Sequence, residues 1–391
     1  MGGLRAAESL RRFGYAGPIV AIGDEAYPPY NRPPLSKEVL AAEVSLEAVA
    51  FPQRPATADV DWKLGTKVVS ANLAAGTVET DKGEVIEYSK LLIATGLRPK
   101  RQDYPNNLTV GRHVIRGLDD ALALRAALKP GARVVILGAG FIGCETAATA
   151  RKLGAEVTVV GPGELPILRP LGREFAAEVK RRQEHEGTRF AMGRRVADLI
   201  GEAVVEGVVL DDGTEIACDV FIEAIGSHPN TEWLEGNDID FSNGLVCDSS
   251  LNVRTATDGV WPDVYAIGDV ASFPNPIFDA IPRRVEHWNI PTECAKYIGA
   301  RVAAELAIAE GAAEAVVPEA PFKPIPSFWS DQFDMHILAF GLLAIADEAR
   351  LIEGDINDDF VFGYYREGKM VGVAGVGMRS VVQGYRKVFD A

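Results

Sequence analysis

A glycine-rich turn lies where a strand-like run meets a helix-like run. Gly138, Gly140 and Gly143 form the pattern GxGxxG, directly after RVVIL and at the start of FIGCETAATARKLG. In such a turn the first glycine permits the bend, the second lets a pyrophosphate approach the backbone, and the third lets the helix pack on the strand. The helix N-terminus adds amide donors and a positive dipole end. The pattern predicts a dinucleotide site.

The residue that should select the nucleotide departs from this pattern. A carboxylate is expected about 20 residues after the turn, where it accepts hydrogen bonds from the ribose hydroxyls of NAD. That position holds Gly161; Glu164 follows three residues later, and the first base is Arg169. The sequence leaves NADH and NADPH both open. We favour NADH because no arginine cluster follows the strand directly.

A second nucleotide site is indicated near the start of the sequence. Gly2 and Gly3 resemble the end of another GxGxxG motif, and Asp24 follows Gly3 by the spacing that a ribose carboxylate requires. The strand that normally precedes such a motif is missing here. Either the start codon is misplaced or the nucleotide pocket is open on one side.

Three further segments carry groups suited to a flavin. The run Tyr30–Lys37 presents Arg32 and Lys37 from a backbone stiffened by two prolines, and fixed cations suit a pyrophosphate and the electron-rich edge of a reduced flavin. Asp269 ends a strand-like run before an expected helix, where it could bind a ribityl hydroxyl. Trp288, in Glu-His-Trp, could stack near the flavin ring. Taken alone, the run Tyr30–Lys37 could be a basic surface loop, and a single tryptophan such as Trp288 is usually a core or surface residue.

Composition limits the remaining functions. Of the 391 residues, 47% are hydrophobic and 24% charged, and no stretch of about 18 apolar residues predicts a membrane span. The net charge of −15 disfavours nucleic-acid binding. The four cysteines are too far apart for a CxxC pair, which argues against a disulfide framework, a metal site or a dithiol centre. A cytoplasmic protein fits best.

The elements that must position these residues alternate between strand and helix periodicity, as in parallel α/β sheets. The chain contains an internal repeat, because each half has a βαβ unit, a meander and a strand ending in glycine. We predict an FAD-binding domain over 1–111 and 230–318, a nicotinamide-nucleotide domain over 112–229, and a smaller α+β domain over 319–391 that begins in the proline-rich run VPEAPFKPIP.

Taken together, the motifs resemble the FAD-dependent NAD(P)H:ferredoxin reductases of the glutathione-reductase fold, the group of putidaredoxin reductase and the aromatic-ring dioxygenase reductases. The runs RPPLSK, LLIATG, GAGFIG, YAIGDVA, EHW and FWSDQ occur in the family's order over nearly the whole chain. The resemblance implies an α/β fold of two Rossmann-like domains plus the C-terminal α+β domain. It implies that Gly138, Gly140, Ile142, Gly143 and Gly226 contact the nicotinamide nucleotide. It implies a flavin site formed by Gly2, Gly3, Asp24, Arg32, Lys37, Val68, Thr95, Arg116, Asp269, Trp288 and Trp329, with Lys37 and Trp288 closest to the chemistry.

The resemblance also implies a reaction and a partner. No cysteine precedes Cys144, so the chain is similar to the branch in which the flavin alone stores two electrons and releases them singly to a [2Fe-2S] ferredoxin. That ferredoxin would serve a cytochrome P450 or a ring-hydroxylating oxygenase. Rubredoxin as acceptor, and an FAD-deficient nucleotide-binding protein without enzyme activity, remain the alternatives. We expect a monomer or weak dimer. Five basic residues are candidates for docking an acidic ferredoxin: Arg283, Arg284, Arg379, Arg386 and Lys387.

Overall fold

The computed structural model describes residues 1–389. The α-helices within these residues are α1 (Gly2–Arg12), α2 (Glu38–Ala41), α3 (Leu46–Val49), α4 (Leu118–Ala127), α5 (Phe141–Lys152), α6 (Leu168–Leu171), α7 (Arg173–His185), α8 (Ile290–Ala309) and α9 (Arg379–Tyr385). In this part of the chain no helix is long and apolar enough to cross a membrane.

The strands fall into two groups along the chain. Those before residue 200 are β1 (Val20–Ile22), β2 (Asp61–Lys63), β3 (Val68–Asn72), β4 (Thr77–Thr80), β5 (Val85–Glu87), β6 (Leu91–Ile93), β7 (Leu97–Pro99), β8 (Arg112–His113), β9 (Arg133–Leu137), β10 (Glu156–Gly161), β11 (Arg189–Met192) and β12 (Val196–Ile200). Those that follow are β13 (Gly207–Leu210), β14 (Glu215–Ala217), β15 (Val220–Glu223), β16 (Ser227–Pro229), β17 (Leu245–Val246), β18 (Asn252–Arg254), β19 (Val260–Ala266), β20 (Ala271–Asn275), β21 (Asp279–Arg284), β22 (Ser327–Gln332), β23 (Met335–Gly341), β24 (Glu348–Gly354), β25 (Phe360–Arg366) and β26 (Lys369–Val376).

The chain divides into two compact units that each combine three segments. Unit 1 contains Met1–Asn31, Ala50–Leu97 and Pro229–Pro326, and unit 2 contains Arg32–Val49, Arg98–His228 and the chain from Ser327 onward. The predicted nucleotide and C-terminal regions therefore share unit 2. Which nucleotide each predicted domain holds stays a prediction.

Unit 1 is built around helices α1 and α8. Helix α1 buries Leu4 and Leu10 on one face, as expected of an amphipathic helix. The helices approach closely because residue 299 is glycine: a Cβ there would lie 2.3 Å from Cβ of Ser9. Strands β6 and β19 run parallel, and β3, β4 and β5 form the predicted meander.

Unit 2 contains a five-stranded parallel sheet in the order β11-β10-β9-β15-β8. Its central strands are buried apolar runs, as sheets covered on both faces require. Strands β12, β13 and β14 form a meander like that of unit 1. The meander of the predicted internal repeat is thus present in both units.

The C-terminal part of unit 2 is an antiparallel sheet in the order β22-β23-β26-β25-β24, followed by α9. Aromatic side chains attach this sheet to the rest of the unit. Phe175 of α7 packs against Phe360 at 4.8 Å between ring centroids, and Phe141 of α5 packs against Phe328 at 4.9 Å. The sheet is therefore part of the packing around α5.

Two local expectations were wrong. Asp269 is not followed by a helix; the chain makes one 3₁₀ turn over Gly268–Val270 and continues as β20. The Ala- and Glu-rich run 300–315 predicts a helix, but the helix observed there runs from Ile290 to Ala309, with Pro291 in its first turn. A proline there is compatible with the helix because the first turn has no intrahelical N–H bond to lose.

Candidate functional site

The GxGxxG turn joins β9 to α5, and its three glycines have different surroundings. Gly138 has φ +114°, and a Cβ on it would lie 2.2 Å from the carbonyl oxygen of Ala224. A Cβ on Gly143 would lie 1.9 Å from the carbonyl oxygen of Gly138. A Cβ on Gly140, the N-cap of α5, would meet nothing within 4 Å. Two glycines therefore close the turn, and the third leaves open space at a helix N-terminus, as a pyrophosphate requires.

Gly226 follows β15, the neighbour of β9 in the parallel sheet. Its carbonyl oxygen accepts a 2.9 Å hydrogen bond from the Lys100 amide. Glu223, the last residue of β15, is held by the buried Arg112 guanidinium at 2.9 Å and by the Gln102 amide. The carboxyl ends of β9 and β15 thus form one edge of the sheet, where ligands bind in open α/β sheets. Ile142, 46% exposed, lies on α5 near this edge.

The end of β10 is tightly packed. Gly161 is buried, and a Cβ on it would lie 3.2 Å from Cβ of Ala139 and 3.4 Å from Cε of Met192. Glu164 lies farther along the loop and is mostly exposed, and its carboxylate pairs with Arg173 at 2.6 Å. Position 161, where a carboxylate normally selects NAD, therefore holds a glycine. The next carboxylate, Glu164, is engaged in a solvent-exposed ion pair.

Lys37 lies against a buried carboxylate that sequence analysis did not identify. Its ammonium group donates to Oε2 of Glu145 at 2.7 Å and to the Pro33 carbonyl at 3.4 Å. Glu145 projects from α5 and is only 4% exposed. Its oxygens also accept hydrogen bonds from Ser36 at 2.8 Å and Ser330 at 2.7 Å. The carboxylate fixes the lysine charge and leaves the third N–H bond of Lys37 available to another acceptor.

The other predicted flavin residues of unit 2 lie on the same loops and strands. Arg32 donates to the Arg116 carbonyl at 2.6 Å, so these two predicted residues are in contact. The Arg116 amide in turn donates to Asp120 in the first turn of α4. Trp329, 39% exposed, directly precedes Ser330 on β22.

In unit 1, several predicted residues meet at the carboxyl ends of β6 and β19. A Cβ on Gly2 would lie 3.4 Å from Cβ of Ala94 and 3.5 Å from Cδ1 of Ile267, the residues next to these strand ends. Thr95 follows β6, and its hydroxyl donates to the Asn230 carbonyl at 2.8 Å. Asp269 lies two residues after Ile267. Gly3, at the start of α1, has nothing within 4 Å of its Cβ position, so the helix N-terminus is open to a ligand.

Asp24 and Val68 lie in a second part of unit 1. Asp24 is exposed and follows β1, and the amide of Thr66 donates to the carbonyl of the adjacent Gly23 at 2.9 Å. Val68 begins β3 two residues after Thr66. The two predicted residues are thus near each other along neighbouring loops.

Trp288 is 38% exposed, and its indole N–H donates to Oδ1 of Asn31 at 3.0 Å. This bond links the Glu-His-Trp segment to Asn31, the second residue of the run Tyr30–Lys37. The preceding His287 is partly buried, and this burial lowers its pKa to about 4. The imidazole is therefore neutral at physiological pH.

The cysteines are not reactive groups. All four are buried, and burial raises the pKa of Cys218 and Cys294 to about 12 and raises those of Cys144 and Cys247 as well. Protonated buried thiols are poor nucleophiles. Among residues 1–389, no group of three or more His, Cys, Asp or Glu side chains is arranged to hold a metal ion.

Sequence reasoning missed the residues that hold the predicted ones in place: Ser36, Asn31, Glu145, Asn230 and Ser330. Glu145 did leave a signal, because a carboxylate interrupts the small and apolar residues of a helix whose face is buried. The others are polar residues whose partners are distant in sequence, so no local pattern identifies them.

Comparison with known families decides the family of the chain. The sequence profile of the pyridine nucleotide-disulphide oxidoreductases matches residues 1–292, and a profile described as reductase C-terminal matches 327–391. The chain belongs to the pyridine nucleotide-disulphide oxidoreductase family. The α/β fold with a small C-terminal domain, predicted from sequence, is confirmed.

Two relatives of the chain are ferredoxin–NAD(+) reductase components of dioxygenase systems. The chain is 33% identical to the ferredoxin–NAD(+) reductase component of the anthranilate 1,2-dioxygenase system of Burkholderia cepacia, over 99% of this chain and 91% of the relative. It is 32% identical to the corresponding component of the p-cumate 2,3-dioxygenase system of Pseudomonas putida, over 93% and 84%.

Among solved structures, a covalent putidaredoxin reductase–putidaredoxin complex aligns with TM-score 0.88 and 27% identity, over 99% of this chain and 90% of that chain. The ferredoxin reductase for the CYP199A2 system from Rhodopseudomonas palustris aligns with TM-score 0.86 and 31% identity, over 99% and 91%. The resemblance to ferredoxin reductases is confirmed.

Proposed function

We propose that the chain is an NAD(P)H:ferredoxin oxidoreductase that uses FAD and favours NADH. The observation that carries this proposal is the open helix N-terminus at Gly140, on the carboxyl edge of a parallel sheet. It is a cradle that a side chain would fill and that a pyrophosphate fits. The names of the relatives support ferredoxin as the acceptor.

The residues suit two nucleotides. For the nicotinamide nucleotide, Gly138 and Gly143 close the turn, Gly140 admits the pyrophosphate, and Ile142 and Gly226 line the same edge. For FAD, we propose that Gly2, Gly3, Thr95 and Asp269 bind near the N-terminus of α1, and that Asp24, which follows β1, binds the ribose. Arg32, Lys37, Val68, Arg116, Trp288 and Trp329 complete the proposed set.

FAD, when bound, would supply the step that divides one two-electron transfer into two one-electron transfers. The chain itself contributes orientation and charge. Lys37 offers a cation with a free N–H bond, Glu145 keeps that cation in place, and Asn31 orients the Trp288 indole. The partly buried His287 is neutral at physiological pH, so it supplies no charge to this segment.

The partner we propose is a [2Fe-2S] ferredoxin of a cytochrome P450 or ring-hydroxylating oxygenase. We propose that this ferredoxin binds to a monomer or weak dimer of the chain in the cytoplasm.

The test of the proposed function is a visible spectrum of the purified protein before and after anaerobic addition of NADH. We expect a flavin spectrum that NADH bleaches. A colourless protein to which FAD cannot be restored would contradict the proposal, and comparison with rubredoxin separates the two acceptors.

A further inference from the structure

A chain of buried polar side chains runs from the C-terminal sheet to Glu145. Oγ of Ser330 donates to Oε1 of Glu145 at 2.7 Å, and Nε2 of Gln332 donates to Oγ of Ser330 at 3.0 Å. Gln183 of α7 donates from Nε2 to Oε1 of Gln332 at 2.8 Å. Every donor in this series faces towards the carboxylate, so the bonds polarise one another in one direction.

The series is shielded from water. Ser330, Gln332 and Gln183 are 0% exposed and Glu145 is 4% exposed. Burying a series of polar side chains costs free energy of folding unless each polar group has a hydrogen-bond partner. On the β22 strand, Ser330 and Gln332 are two residues apart and therefore share one face of the sheet, the face turned to α5 and α7.

The two oxygens of Glu145 have separate tasks. Oε2 binds Lys37 at 2.7 Å and Ser36 at 2.8 Å, whereas the contact made by Oε1 is the hydroxyl of Ser330. Because the carboxylate is planar, a donor that fixes Oε1 also fixes the direction in which Oε2 faces. The Ser330 hydroxyl thus contributes to the orientation of the carboxylate that binds the Lys37 ammonium.

We propose that Ser330 is a positioning residue for Lys37, acting through Glu145, so that the C-terminal sheet contributes to the electrostatics of the flavin site. The redox part of this inference rests on the proposed function. The placement of Lys37 is independent of it, because the hydrogen bonds lie within unit 2 and involve no ligand.

The first experiment needs no cofactor. Competitive acetylation of the apoprotein, read by mass spectrometry, measures the reactivity of Lys37 relative to the other lysines. We expect Ser330→Ala to raise the reactivity of Lys37 about tenfold, because the charge-assisted hold on its ammonium is weakened. Thr188→Val is the control, because Thr188 is a buried hydroxyl without a hydrogen-bond partner in the described structure. Equal Lys37 reactivity in wild type, Ser330→Ala and the control would overturn the proposal.

The second experiment uses the FAD-loaded protein. We expect Ser330→Ala to lower the midpoint potential of the flavin, change its visible spectrum and slow its reduction by NADH about tenfold, because a cation favours the reduced flavin. Glu145→Gln removes the carboxylate through which Ser330 acts, so adding Ser330→Ala to Glu145→Gln should cause no further change. Fully additive effects would overturn the proposal, since they mean that Ser330 acts by another route.

Two provisions keep the outcomes distinct. If Ser330→Ala does not fold, Ser330→Cys keeps the shape with a weaker donor and should give intermediate values in both experiments; wild-type values would overturn the proposal. If Lys37 reactivity changes as expected but the wild type neither holds FAD nor oxidises NADH, the positioning role stands and the proposed function fails.

Discussion

At the scale of single residues, we expect two glycines of the turn to have different roles, Gly140 in ligand binding and Gly143 in folding. Gly140→Ala adds a methyl group in open space at φ −81°, whereas the same methyl on Gly143 overlaps the Gly138 carbonyl. We expect Gly140→Ala to leave the melting temperature unchanged and raise KM for NADH about tenfold or more. Gly143→Ala should instead destabilise the protein by about 2 kcal/mol or more. An unchanged KM in Gly140→Ala would contradict the assigned role.

His287 gives a pH prediction at the same scale. Its pKa is lowered from 6.5 to about 4 by burial, so below pH 6.5 the unfolded chain binds a proton that the folded chain does not. Stability contributed by the neutral imidazole is therefore complete above pH 6.5 and is lost as the pH falls towards 4. We expect a loss of about 2 kcal/mol from this residue, below the full linkage value because the side chain keeps some solvent contact.

The measurement compares urea denaturation of wild type and His287→Phe at pH 7 and pH 4.5. Because phenylalanine does not titrate, the variant should lose less stability on acidification. Parallel losses in the two proteins would show that the imidazole is already accessible to protons in the folded state.

At the scale of elements, we expect the loop after β10 to determine the nucleotide preference. Without a carboxylate at position 161, we expect the ratio of kcat/KM values for NADH and NADPH to be small. Gly161→Glu should shift it towards NADH, because a carboxylate accepts from a 2′-hydroxyl and repels a 2′-phosphate. Ala139 and Met192 must move by a few tenths of an ångström, and Gly161→Ala measures that packing effect alone. A wild-type preference above about a hundredfold, or about 2.7 kcal/mol, would mean that other residues decide.

Most secondary-structure elements were predictable from the sequence, because the periodicity of apolar residues is a local signal. The parallel βαβ unit around Gly138, the two meanders and the C-terminal sheet follow from runs of apolar residues and turn glycines. The start of α8 was missed because Pro291 suggests an interruption, although a first helical turn accepts it. The Glu145–Ser330 bond was missed because it joins residues 185 apart, and only packing of the C-terminal sheet on α5 brings them together.

At the scale of the whole molecule, charge limits the encounter with an acidic ferredoxin. The chain carries −15, so docking requires local positive charge. Two sequence candidates are already engaged: Arg283 pairs with Asp279, and Arg284 pairs with Glu286 at 2.9 Å. Arg386 and Lys387, after α9, are exposed. These residues are therefore the better test of docking.

We expect Arg386→Glu with Lys387→Glu to slow ferredoxin reduction, most clearly at low ionic strength, and to leave NADH-dependent reduction of a neutral dye unchanged. The charge-matched control is Arg12→Glu with Lys129→Glu, two exposed bases outside the candidate set. If control and test variants slow equally, net charge rather than a local patch governs the encounter. If dye reduction falls as well, the residues support the fold instead.

The central claim is that this chain couples a two-electron donor to a one-electron acceptor. Anaerobic mixing of the FAD-loaded protein with limiting NADH and excess [2Fe-2S] ferredoxin measures it directly, with both absorbance changes followed together. The account predicts that two ferredoxins are reduced for each NADH consumed, with catalytic amounts of the protein sufficient. Oxidation of NADH without ferredoxin reduction, or no oxidation with either NADH or NADPH, would contradict it.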